Sequence, residues 1–252
     1  MKRYAIIFIL IMLVFTGFSH AKGLKGTIQL DLSQPPQAEE QDPVLEKYTE
    51  IMGEISITDQ AYEVVENIRT TVEDVESIAM DVEVSEIRGQ RIERMFFHLQ
   101  GSMESKVVRV EFKEPSELRG YILVADQEKM ESRMYQPINN QIAVRGLEDA
   151  SKEVLSTLSI SDLDTFFDFS QYSVEVLEVV EEDGVQDYLL EVDALDEILQ
   201  VRVKSDSWFP HEISVYEGDV FVGTMTISNV VFNPELDKEE LTKLPEAKEV
   251  RM

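Results

Sequence analysis

The stretch VVRVEFKEPSELRGYILVADQEKMESRMYQPINNQIAV, from Val107 to Val144, decides the fold. Apolar and polar residues alternate along it. The alternation breaks at Pro115, resumes at Tyr121, breaks near Gln127 and resumes at Arg133, the signature of successive half-buried strands in one antiparallel meander. A sheet with one apolar face must have that face covered. The question the sequence poses is whether protein alone covers it, or protein together with a fatty ligand.

The same period extends outward in both directions. Ile78, Met80, Val82 and Val84 alternate with polar or small residues, and a turn is expected at Arg88-Gly89-Gln90. Glu93 to Gln100 is expected as the next strand, with Met95, Phe97 and Leu99 facing inward and Phe96 giving the other face some apolar character; a turn at Gly101-Ser102 follows. Val108, Val110 and Phe112 are the inward set of the third strand, which Pro115 must end. Tyr121 to Ala125, Arg133 to Gln136 and Gln141 to Arg145 give three more. Beyond a helical interruption, strands return at 173–180, 186–193, 197–204, 209–216 and 220–231, with Gly-bearing hairpin turns at Glu182-Asp183-Gly184 and Glu217-Gly218-Asp219. The count is eleven, and a sheet of that size curls or closes.

Two segments carry the helical period instead. Thr58 or Asp59 can cap a helix reaching about Ser77, with Tyr62, Val65, Ile68, Val72 and Val75 as its buried stripe. From Leu147 to Phe169 two short helical pieces are expected, bearing Leu155, Leu158, Leu163, Phe166 and Phe167. Lys238 to Leu244 is expected as a final helical turn.

The 252 residues suit a single β-rich domain with added segments. MKRYAIIFILIMLVFTGFSHA has the basic start, apolar run and small-residue end of a secretory signal, with cleavage expected after Ala21; an uncleaved anchor is the competing reading. Residues 22–58 read as a tether: a possible short strand at Thr27 to Leu32, the polar linker SQPPQAEEQDP, and a possible brief helix at Val44 to Met52. Residues 59–246 form the expected folded domain, and 247–252 a C-terminal tail. The compartment expected is the periplasm.

Charge and residue inventory then exclude function classes. The formal charge is −27, or −29 once Lys2 and Arg3 leave with the signal, and such a field repels nucleic acid and anionic bilayers. No cysteine is present, and only His98 and His211 remain after the signal, so neither a metal site, nor a Cys/His nucleophile, nor a lipoprotein anchor is expected. Phosphate-cradling glycine motifs, the serine elbow and the zinc-protease signature are missing. No cofactor and no catalytic residue are assigned; a hydrolase built on two of the fifty carboxylates is the enzymatic alternative. What the sequence does offer is apolar interior, with Met80, Met95, Met103, Met130, Met134 and Met225 recurring along the sheet. Thioethers adapt to ligands of varied shape, although ordinary core filling uses them too.

Three clusters resemble the LolA-like group of periplasmic carriers and lipoprotein-sorting proteins. They are Phe112-Lys113-Glu114-Pro115 with Leu118-Arg119-Gly120-Tyr121-Ile122-Leu123; Tyr135-Gln136-Pro137 with Asn140-Gln141; and Trp208-Phe209-Pro210 leading through Val215-Tyr216 to Phe232-Asn233-Pro234 and Leu236. The resemblance implies an open, strongly curved antiparallel half-barrel of about eleven strands, covered by an α-helical lid. It implies a carrier that shields lipoprotein acyl chains, or another lipid, on the way to the outer membrane, receiving them from and passing them to membrane transfer proteins, most simply as a monomer. The cavity it implies is lined by Met80, Val82, Met95, Phe97, Val108, Val110 and Phe112, with Leu190, Val201 and Met225 from later strands. Leu155, Leu158, Leu163, Phe166 and Phe167 would form the lid. Where carriers often place a basic latch before the proline, this chain has Glu114, with Arg119 as a substitute. The alternative is an envelope sensor or scaffold of the same fold that binds a protein partner.

Overall fold

The structure is a computed structural model and describes residues 56–147, 169–194 and 197–251. Twelve strands form one sheet: β1 (Ser77–Arg88), β2 (Arg91–Ser102), β3 (Val107–Glu114), β4 (Ile122–Asp126), β5 (Glu131–Gln136), β6 (Gln141–Gly146), β7 (Ser173–Glu182), β8 (Val185–Asp193), β9 (Ile198–Lys204), β10 (Pro210–Glu217), β11 (Val220–Phe232) and β12 (Lys248–Arg251). Their order is β12-β6-β5-β4-β3-β2-β1-β11-β10-β9-β8-β7, so among the described residues β12 and β7 are the outermost strands. All eleven expected strands are present.

Three expectations need correction. The sheet is open and not strongly curled, and it is mixed, because β12 pairs in parallel with β6. The segment expected as a tail therefore contributes a strand. Gly101 and Ser102 do not turn the chain: they continue β2, opposite Ile78 and Ser77, and the reversal comes one step later through Lys106, whose φ is +52°. The glycine suggested a turn, but the ladder runs through it.

Turn chemistry elsewhere follows the sequence. Asp183 and Gly184 both take positive φ between the paired residues Glu182 and Val185, the two-residue hairpin whose twist matches that of its strands. Gly218 takes positive φ in the Gly218-Asp219 loop between Glu217 and Val220.

Two α-helices lie among the described residues: α1 (Asp59–Glu73) and α2 (Lys238–Thr242). Thr58 caps α1, its hydroxyl accepting from the Ala61 N–H at 3.3 Å. The helix ends at Glu73, short of Ser77. Its buried face is Ala61, Val64, Val65, Ile68 and Val72, whereas Tyr62, expected in the stripe, is 58 % exposed. One residue is 100° of helix, and the alanine takes the close-packed position that the larger ring was expected to fill.

At the start of α1 the Thr58 N–H donates to the Val174 carbonyl of β7; at its end the chain feeds β1. These points are five strand steps apart across the sheet, and the register sets Val174 level with Glu86 of β1, well along that strand from Ser77, so α1 crosses obliquely between β7 and the entry of β1. Its apolar residues join one core with the inner residues of β7 to β11 and of β1 to β4 alike.

Asn233 locks the far end of this arrangement. Its carboxamide oxygen accepts from the N–H groups of Glu76 at 2.7 Å and Ser77 at 3.3 Å, tying the end of β11 to the entry of β1, and its φ is +52°. Asn233→Ala removes the acceptor of these two donors and the short polar side chain that lets asparagine hold left-handed backbone; we expect a loss of about 2 kcal/mol, read by urea denaturation.

Candidate functional site

Residues directly opposite in neighbouring strands share a face, so the register lays out the inner surface in rows. One row runs Met134, Leu123, Val110, Leu99 and Met80 across β5, β4, β3, β2 and β1. The next runs Phe112, Phe97, Val82 and Ile227 across β3, β2, β1 and β11. A third continues from Met95 and Val84 through Met225, Ile213, Val201 and Leu190 to Val176. Every described residue of the expected cavity lies on these rows or beside them. Met80, Val82, Met95, Phe97, Val108, Val110, Phe112, Leu190 and Val201 are buried and Met225 is partly buried. The period of two carries that information without a structure.

Leu190, Val201, Ile213 and Met225 belong to β8 to β11, between β1 and the β7 edge. Met95, Phe97, Val108, Val110, Phe112 and Leu123 belong to β2, β3 and β4 on the other side of β1, and all are buried in the same core as α1. Phe97 and Phe112 pack as a tilted pair, centroids 6.0 Å apart. Leu147 and Phe169, which bound the expected lid, are themselves buried in this core at 1 % and 4 % exposure. Leu155, Leu158, Leu163, Phe166 and Phe167 lie outside the described residues.

The expected latch is otherwise engaged. Arg119 donates from Nε to the Lys113 carbonyl at 3.1 Å, which ties the β3–β4 loop to the end of β3. Lys113 pairs with Glu111 at 2.9 Å.

The outer face of β3 and β4 carries a second, smaller apolar cluster that sequence reasoning did not anticipate: Val107, Val124 and Leu241, with Ile122, Leu236 and Leu244 against them. Arg109 organises it. Its Nη1 donates to the carbonyls of Leu241 at 3.2 Å and Lys243 at 2.6 Å, satisfying the orphan carbonyls at the end of α2, while Glu111 balances its charge at 2.8 Å. A cavity of about 400 Å³ beside it is lined by Arg109, Ile122, Glu240, Lys243, Leu244 and Pro245. The arginine's donors are already committed to backbone and carboxylate, so the cavity offers an anion little.

Electrostatics give no support to an acid–base pair. The carboxyl groups with displaced pKa values among the described residues are Asp81, Glu111 and Asp126, and all are displaced downward. The hydrogen bond from Asn229 Nδ2 at 2.8 Å, opposed by partial burial and helped by His98 at 2.7 Å, holds Asp81 below the usual carboxylate range. Burial pushes Glu111 and Asp126 up, but the bonds from Lys113 and Arg109, and from Lys129, outweigh it. Among the described residues no group of three or more His, Asp or Glu is placed to hold a metal, and no helix is long and apolar enough to cross a membrane.

A depressed folded pKa means that the unfolded chain binds more protons, so Asp81 adds stability above its unfolded value of about 4 and loses it as pH falls through the folded value. The melting temperature of Asp81→Asn is therefore expected to fall less steeply than that of the unsubstituted protein between about pH 5 and pH 3. Parallel slopes would rule the Asp81 contribution out.

No family model matches the chain, and no curated protein matches it. Solved structures do. An uncharacterized conserved protein from Thermus thermophilus superposes with a TM-score of 0.51 at 13 % identity, over 77 % of this chain and 100 % of that one. The likeness is one of fold. More distant matches are a LolA superfamily protein from Nitrosomonas europaea, with a TM-score of 0.37 at 13 % identity over 73 % and 97 % of the two chains. MucB in the Pseudomonas aeruginosa MucA/MucB complex gives 0.45 at 11 %, over 75 % of this chain and 63 % of its own.

Proposed function

We propose that the protein is a secreted, non-catalytic lipid carrier that holds acyl chains against the inner faces of β1 to β4 while they cross the periplasm. The cargo is a lipoprotein or another lipid destined for the outer membrane, exchanged with membrane transfer proteins at either end. One observation carries this reading: Met95, Phe97, Val108, Val110, Phe112 and Leu123 make a continuous buried apolar surface across β2, β3 and β4. The proposal includes a cover between Leu147 and Phe169, whose two ends are fixed in that same core. An acyl chain of roughly sixteen carbons gains on the order of 12 kcal/mol by leaving water, so an apolar surface suffices and no reacting group is needed.

The test is to purify the protein from the soluble envelope fraction of its own cells, extract it with organic solvent and analyse the extract by mass spectrometry. Stoichiometric acyl lipid is the expected result. Protein free of lipid under these conditions contradicts the carrier and leaves a partner-binding scaffold of the same fold.

A further inference from the structure

Among the described residues β7 is the last strand on one side of the sheet. Its first residues show what that edge accepts. Ile57 bridges Val174 in parallel, with the Val174 N–H donating to the Ser56 carbonyl at 3.0 Å and the Thr58 N–H donating to the Val174 carbonyl at 3.3 Å. The contact is the stub of a thirteenth strand. After Thr58 the chain turns away into α1, and the edge from Val176 to Glu182 continues without it.

That remaining edge is both apolar and acidic. Leu177, Val179 and Val180 are 44 %, 39 % and 45 % exposed. Glu175, Glu178, Glu181 and Glu182 are interspersed with them, all exposed, and Glu178 meets Arg202 of β9 at 3.4 Å. Edge strands are ordinarily blunted by charge, proline, a bulge or brevity; β7 has ten residues, no proline and a bulge between Val176 and Glu178, and its charges are all acidic, which excludes an acidic strand but not a basic one.

We propose that β7 is a docking edge for an extended segment of a partner protein that carries both basic and apolar residues, added to the sheet as a further strand. Backbone hydrogen bonds supply the affinity; the glutamates select lysine or arginine on the incoming strand, and Leu177, Val179 and Val180 take its apolar residues. The charge of the whole chain, −27, attracts such a segment from a distance. A second copy of this chain is a poor occupant, since it brings an edge with the same glutamates and a like overall charge. This inference is independent of the acyl-binding proposal, because β1 and β8 to β11 separate the edge from the inner residues of β2 to β4.

The test uses the full chain and a synthetic ten-residue peptide of alternating lysine and valine, with an alternating glutamate and valine peptide as control. Titration calorimetry is expected to show the basic peptide binding at least tenfold more tightly, and hydrogen exchange to show new protection confined to β7. Glu175→Lys with Glu181→Lys, both on exposed side chains, is expected to reverse the preference while leaving the melting temperature within a few degrees. Equal affinity for the two peptides overturns the proposal, as does binding without protection of β7. Protection of β7 before peptide is added, whether from a concentration-dependent dimer or from the chain's own residues 22–55, overturns it as well.

Discussion

Val110→Trp is expected to weaken acyl binding by more than tenfold while leaving the fold intact. Val110 stands in β3 between Leu99 and Leu123, 9 % exposed, on the inner face of the sheet. If an acyl chain lies there, an indole takes the room of about three methylenes, which are worth roughly 2.4 kcal/mol at about 0.8 kcal/mol each, a factor near fifty in affinity. The melting temperature discriminates between a ligand site and a filled core. In a filled core the added bulk costs about 1–3 kcal/mol of stability. In a site that opens for a ligand it costs little. Displacement of a fluorescent fatty acid, together with a thermal melt, reads both quantities; a destabilised protein with unchanged affinity would show that Val110 is only structural.

Ile213→Ala is expected to do the reverse. Ile213 is 1 % exposed on β10, flanked by Val201 of β9 and Met225 of β11. Removing its outer carbons from a packed site costs about 2–5 kcal/mol, a large part of the 5–15 kcal/mol typical of a whole domain. For a domain of this size the melting temperature should drop by about 10 °C. Fatty-acid affinity should stay within about twofold, because β10 lies outside the proposed acyl surface. Equal losses of affinity in the two variants would mean that the halves of the sheet do not have separate tasks.

Much of this was legible in the chain itself, and the failures have physical causes. Strict alternation located eleven strands and put Met80, Val82, Phe97 and Val110 on one face, since a period of two fixes the face once the strand is known. Strand β12 escaped because Lys-Glu-Val-Arg has a single apolar residue; it is held by backbone pairing with β6 and by Arg133 against Glu249 and Arg251 against Glu131, none of which leaves a hydropathy pattern. Tyr62 was placed inside because periodicity counts large apolar residues and overlooks Ala61.

The strand order across the sheet was beyond reach for a different reason. It depends on β1 pairing with β11, residues some 150 positions apart, and that pairing sets the β7 edge, where α1 starts, five strands from β1, into which it leads. The degree of curl likewise accumulates over twelve strands and is set by no local stretch. The cluster around Arg109 gave no signal either, because its partners are main-chain carbonyls more than a hundred residues away.

The most direct measurement is photo-crosslinking of the full chain with a diazirine-bearing fatty acid, followed by peptide mapping. A carrier of the kind proposed gives adducts on peptides from β1 to β4, at residues such as Met95, Val110 and Leu123, and loses them in Val110→Trp. Adducts confined to the outer cluster around Leu241 and Leu244, or spread without preference over exposed peptides, would contradict it.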